Sequence, residues 1–182
     1  LTGLQDFFPR YLAIVVPVAN INNVKEPFMN GDTPKARMIR HEEGHHVLHP
    51  SGAQMNIKVF AVETGGGYSM METVLPPGGI VPRHVHHGED ENNFILDGQL
   101  TMEIGENIYH AAAGSYVVAP RGVEQCFKNE GGADCRFLTT FTPGGAEGFF
   151  KEAGELIRQC APEKPSPAAL AALQVKYGLR YL

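Results

Sequence analysis

From Met55 onward apolar and polar positions alternate in short runs bounded by Gly and Pro: NIKVFAVE, YSMMETVLP, NNFILDG, QLTMEIG, NIYHAAA, SYVVAP and CRFLTTFT. A period of two over such lengths predicts β-strands with one face in the core. Asp97-Gly98, between NNFIL and QLTMEI, and Gly105-Glu106-Asn107, before IYHAA, have the composition of tight turns and predict antiparallel pairing of the runs they join. Many short strands must close or stack to cover their edges, so a meander or Greek-key barrel is expected. After Pro143 the period lengthens: Phe149, Phe150, Ala153, Leu156 and Ile157 fall at helical spacing, and PAALAALQVKYG opens with Pro167, suited to a first helical turn. Two helices joined by the Pro-rich hinge PEKPSP are expected to cap the barrel.

Upstream, YLAIVVPV, Tyr11 to Val18, is too short to span a bilayer, and Pro17 interrupts it while Asp6 and Arg10 flank it. It reads as a buried strand rather than a signal-peptide core. The chain thus divides into an N-terminal extension, 1–37, a barrel, 38–143, and C-terminal helices, 144–182, with no internal repeat. The extension is longer than one barrel needs, and is expected to pack across a second copy in a homodimer.

With 182 residues, 43% hydrophobic and 19% charged, the chain has the composition of one globular domain. The 21 glycines and 13 prolines reinforce short strands over long helices. A net charge of -5 with no run of Lys or Arg argues against nucleic-acid and anionic-membrane partners and leaves a small molecule or a protein partner as the expectation. Cys126, Cys135 and Cys160 have no CxxC spacing, which points to reduced thiols in the cytoplasm. Pairing of Cys126 with Cys135 is not expected there.

Two histidine clusters invite a metal reading. HEEGHH, His41 to His46, fits H-E-x-x-H, but that chemistry needs a helix, and Gly44 within the motif and Pro50-Ser51-Gly52 after it deny one. A solvated loop is expected. In PPGGIVPRHVHHGEDENNFILDG, by contrast, His84 and His86 are two apart in an extended segment and share a face. Glu91 follows a short polar turn, so a returning strand can bring its carboxylate beside them, with Glu89 and Asp90 read as exposed turn acids. Two imidazoles and a carboxylate suit non-haem Fe(II), and Mn, Ni and Zn accept the same donors.

The spacing is G-x5-H-x-H-x4-E-x6-G from Gly78 to Gly98, and G-x5-P-x-G-x2-Q-x3-N from Gly114 to Asn129. These runs resemble the two motifs of the cupin superfamily, with Gln125 where the family places its third histidine. The likeness covers roughly Met55 to Phe150, and the tail FTPGGAEGFFKEAG looks like that of small single-domain cupins similar to quercetin 2,3-dioxygenase. The resemblance implies an all-β fold, a single cupin barrel (double-stranded β-helix or jelly roll), and one divalent metal on His84, His86, Glu91 and a fourth ligand on the Gln125 strand. Fe(II) is the favoured ion.

Gln125 has three readings: a weak oxygen ligand, a side chain that orients substrate by hydrogen bonding, or the mark of a lost metal site. By alternation Glu91, Asn93 and Ile95 share one face, as do Gln125 and Phe127, while Cys126 faces the other way. Asn93 is then an interior amide, expected to be satisfied by water or substrate. Glu91, Gln125 and Asn93 are therefore the candidate catalytic residues. His87 and His110 are expected to be structural or exposed, and Tyr68, Met70, Glu72, Met102 and Phe127 are candidates for shaping the pocket.

The expected activity is that of a dioxygenase acting on a small enolic or phenolic substrate of polyketide or flavonoid type. A non-oxidative cyclase, isomerase or decarboxylase using the same metal is the alternative, and a metal-free binding cupin the second. The extension yields its own prediction: light scattering at micromolar concentration should give a dimer, and a monomer would overturn the assignment of residues 1–37 to an interface.

Overall fold

The computed structural model describes residues 36–49, 53–161 and 163–182. YLAIVVPV and nearly all of the extension assigned to dimer formation lie outside them. Two antiparallel sheets face each other. One contains, in spatial order, β1 (His45–Leu48), β2 (Gln54–Val59), β3 (Ser69–Leu75), β10 (Cys135–Thr142), β5 (Asp90–Asp97) and β8 (Tyr116–Ala119). The other contains β11 (Leu179–Tyr181), β4 (Ile80–His86), β9 (Gln125–Lys128), β6 (Gln99–Ile104) and β7 (Asn107–Ala112). The core between them is built from inward residues of both, including Ile57, Met71, Ile95, Met102, Phe127 and Phe137. This is the expected all-β jelly-roll barrel.

The strand alternation is borne out in most runs, but the run NIKVFAVE is a strand only to Val59, and Ala61–Thr64 forms a 3-10 turn closed by left-handed Gly65. The two tight turns also differ from one another. Ile104 and Asn107 pair across the Gly105 turn, as predicted. Asp97-Gly98 does not close a hairpin, because β5 and β6 lie in different sheets. The same turn chemistry instead makes a corner at which the chain crosses the barrel. Gly98 has φ 78°, and a Cβ there would lie 2.8 Å from the Asp134 carbonyl oxygen and 3.0 Å from Cys135 Cα.

HEEGHH is not helical, as expected, but it is no loose loop either. His45 and His46 begin β1. The buried Lys58 ammonium donates to the carbonyls of Arg40 (3.1 Å), His41 (2.5 Å) and Glu43 (2.7 Å) and pairs with Glu72 at 3.2 Å. A buried ammonium is tolerable only when its donors are spent in this way. His41 is itself held by Glu72 at 2.6 Å, while His45 packs edge-on against Phe60, so the pair meets on no common face.

Both C-terminal helices form where the pattern placed them, α1 at Glu147–Cys160 and α2 at Pro167–Lys176. Phe149, Phe150 and Ala153 are the buried stripe of α1, and Ser166 caps α2 by accepting from Ala169 N at 3.2 Å. The short strand β11 was not expected. It returns the chain to the barrel and pairs with β4, setting Leu179 opposite His86 and Tyr181 opposite His84.

The corner makes a testable demand: Gly98→Ala should lower stability by about 1–3 kcal/mol, from positive φ and the close backbone, in chemical denaturation. A midpoint unchanged from the parent would show that the corner tolerates a side chain.

Candidate metal centre

β4 turns His84 and His86 inward, and both are buried. The β4–β9 register breaks between Val81 and His84. Pro82, which has no N–H to offer a ladder, sits in that break. Its carbonyl lies 2.7 Å from His84 Nδ1 and can only accept, so that nitrogen donates. The lone pair of the neutral ring is then on Nε2, the atom that faces Glu91 Oε2 at 3.4 Å. His86 Nε2 lies 3.2 Å from the same oxygen, without the alignment of a hydrogen bond. One donor atom from each of His84, His86 and Glu91 lies within 4.8 Å of the others.

Glu91 comes from the opposite sheet. Glu91, Asn93 and Ile95 all point inward from β5, and Gln125 and Phe127 do so from β9, as the alternation requires. The ladder sets Gln125 opposite His84. Its Nε2 donates to Glu91 Oε2 at 2.7 Å. Asn93 Nδ2 lies 3.4 Å from Glu91 Oε1, and Thr139 on the neighbouring β10 donates to Asn93 Oδ1 at 2.7 Å. Asn93, expected to be satisfied by water or substrate, has a protein partner at each end of its amide. It holds the carboxylate in place.

Burial acts to raise the Glu91 pKa, but contacts with His84 and His86 outweigh it and hold the carboxyl at about 2. Burial likewise acts to lower that of His86, and Glu89 and Glu91 reverse this, pushing it to about 9. In the absence of a metal the pair is thus carboxylate and imidazolium at neutral pH. An imidazole lone pair and a carboxylate oxygen this close repel unless a proton or a metal cation lies between them. His86 Nε2 and Gln125 Oε1 are buried without a hydrogen-bond partner. Orphaned donor atoms around an anion are what a divalent ion satisfies, so His84, His86 and Glu91 fit one, with the unpartnered Gln125 Oε1 also buried at the site.

A cavity of about 20 Å³ adjoins the cluster, with His84, Glu91, Val81, Phe127, Thr139 and Tyr181 on its wall. Gln125 does not line it. Of the pocket candidates only Phe127 does: Tyr68 is exposed, Met102 is core, and Glu72 is committed to Lys58 and His41. His87 and His110 are exposed and Cys126 is buried away from the site, with all three cysteines free. Asp90 is tied to the Arg121 guanidinium through two contacts of 3.0 Å. Glu89 departs from expectation, since its mostly buried carboxylate faces His86 Nδ1 at 3.7 Å.

Two residues of the site were missed. Tyr181 brings its ring to 5.7 Å from that of His84, and His49 lines the same cavity. Gly178 followed by the alternating Leu179, Arg180 and Tyr181 is a short-strand signal that points to Tyr181. No comparable local signal marks His49.

Residues 71–141 match the family model described as a cupin domain. The barrel is also similar to KdgF from Halomonas sp. (TM-score 0.53, 16% identity, covering 60% of this chain and 94% of that one). A structure described as a predicted oxalate decarboxylase from Thermotoga maritima aligns with TM-score 0.54 and 22% identity over 59% of this chain and 99% of that one. The polyketide cyclase RemF from Streptomyces resistomycificus gives 0.53 and 16%, over 59% and 80%. No curated protein matches the sequence. Together these support the cupin superfamily and show the cupin fold, as the two motifs implied.

Because His86 is raised from 6.5 to about 9, its ion pair contributes stability that is full below pH 6.5 and is lost as the pH rises through about 9. Chelator-treated protein should accordingly lose thermal stability across that window in scanning calorimetry, and His86→Ala should flatten the slope. Equal slopes in the two proteins would refute the ion pair.

Proposed function

We propose that this chain is a metal-dependent cupin enzyme that oxygenates a small enolic or phenolic substrate, with one divalent ion, Fe(II) before Mn, Ni or Zn, on His84, His86 and Glu91. The observation that carries this reading is the approach of two imidazole Nε2 atoms to one oxygen of a buried carboxylate, at 3.4 and 3.2 Å. Such an ion, held by these residues, would supply a Lewis acid and the redox chemistry that dioxygen requires.

The chain's own groups divide the remaining work. Glu91, with its carboxyl held at about 2, is too weak a base to take a proton at neutral pH, which favours a ligand role over that of proton acceptor. Gln125 and Asn93 fix its two oxygens, and Thr139 fixes Asn93. Burial raises the Tyr181 pKa, so its phenol stays protonated and is a hydrogen-bond donor at the cavity wall. The metal-free reading draws support from the Glu91–His86 pair, which balances its own charge without an ion. No helix among the described residues is long and apolar enough to cross a membrane, and three free thiols fit a reducing cytoplasm.

Metal content by mass spectrometry, on tag-free protein purified without chelator, should give about one equivalent, lost in His84→Ala/His86→Ala. Oxygen uptake with phenolic and enolic substrates should follow the metal. Turnover that persists anaerobically would replace the oxygenase with a cyclase, isomerase or decarboxylase, and no metal after reconstitution would leave a metal-free binder.

A further inference from the structure

At about 20 Å³ the inner cavity admits one water-sized group and no organic molecule. A second cavity of about 350 Å³ shares His49 and Tyr181 with it. The rest of its wall is Pro82 on β4, Phe149 and Ala153 on α1, and Leu170 and Gln174 on α2. Both the volume and the mainly apolar wall with few polar groups are those of small-molecule sites.

The partition between the two chambers is specific. Tyr181 is held opposite His84 by the β11–β4 ladder, and its backbone N–H donates to Gln174 Oε1 at 3.1 Å. Its ring lies 5.7 Å from His84 on the inner side and 6.2 Å from Phe149 on the outer side. The His49 ring lies 6.3 Å from Phe150, a residue of the inner wall. The neck is thus lined by an imidazole and a phenol, groups that can hydrogen-bond a passing hydroxyl or carbonyl.

We propose that the outer cavity seats the apolar, aromatic body of the substrate, and that Tyr181 and His49 form the neck through which its enolic or phenolic oxygen reaches His84 and Glu91. The destination of the oxygen rests on the metal-dependent reading above; the seat of the body does not. The C-terminal helices, outside the region that matches the cupin domain, thereby become part of the binding site, and substrate size is set by α1 and α2.

The test uses 3-hydroxyflavone as the probe, followed by its own fluorescence. It is titrated into the full chain, metal-free and loaded with Zn(II), beside Leu170→Trp and Ala153→Leu, which fill the outer cavity and touch no metal ligand. Circular dichroism and Zn(II) stoichiometry report the fold, and either variant suffices if the other is unstable. Both should weaken flavone binding by about tenfold or more, a loss of about 1.4 kcal/mol, in both forms, with Zn(II) stoichiometry unchanged. Parent-like affinity in the folded variants, or no flavone binding to the parent chain, would overturn the proposal. Weakened flavone binding in a chain that takes up no Zn(II) would uphold the outer cavity and defeat the metal reading alone.

Discussion

A carboxylate buried between two sheets is the constraint on which this barrel's interior depends. Water cannot solvate Glu91 there, so the chain must surround it with donors, and it draws them from both sides. Gln125 and the protonated ring of His86 come from the five-stranded sheet, and Asn93, supported by Thr139, from the six-stranded one. Removing one supporter leaves the charge in a medium where an unmet charge is costly. The site is thus also a tie between the sheets.

Gln125 changes meaning in this setting. Read against the family motif it is a missing histidine, a deficit. In the folded chain its amide makes the shortest contact to Glu91, 2.7 Å, which an imidazole ligating a metal through its facing nitrogen would not make. The carboxamide serves the anion first, and its oxygen is left without a partner. An amide can donate at one end and accept at the other. That dual capacity leaves one end of the side chain committed to the carboxylate and the other free for a second partner.

What was legible in the sequence was whatever alternation decides locally. The inward facing of His84, His86, Glu91, Asn93 and Gln125 follows from a period of two, and α1 follows from its apolar stripe. Asp97-Gly98 was misread because a hairpin and a corner ask the same of their turn residues. Which one forms is decided by the sheet that the next strand joins, and local composition carries no record of that. Glu89 looked like a turn acid until His86 was folded against it. His49 and Tyr181 were hidden for a further reason: each reaches the site from a segment remote in sequence from the motif, and only the packing of β1, α1 and β11 brings them there.

The pairing of β11 with β4 has a consequence for how this chain can vary. Only alternate residues of so short a strand face inward, so its phase is all that distinguishes Tyr181 from its neighbours. One residue added at Gly178 would reverse that phase and direct the guanidinium of Arg180, now exposed, toward the histidines. A fixed cation would then stand beside the cavity that His84 and Glu91 line. The turn before β11 should therefore tolerate changes of residue far better than changes of length, while the hinge between the helices, which sets no phase, should tolerate both.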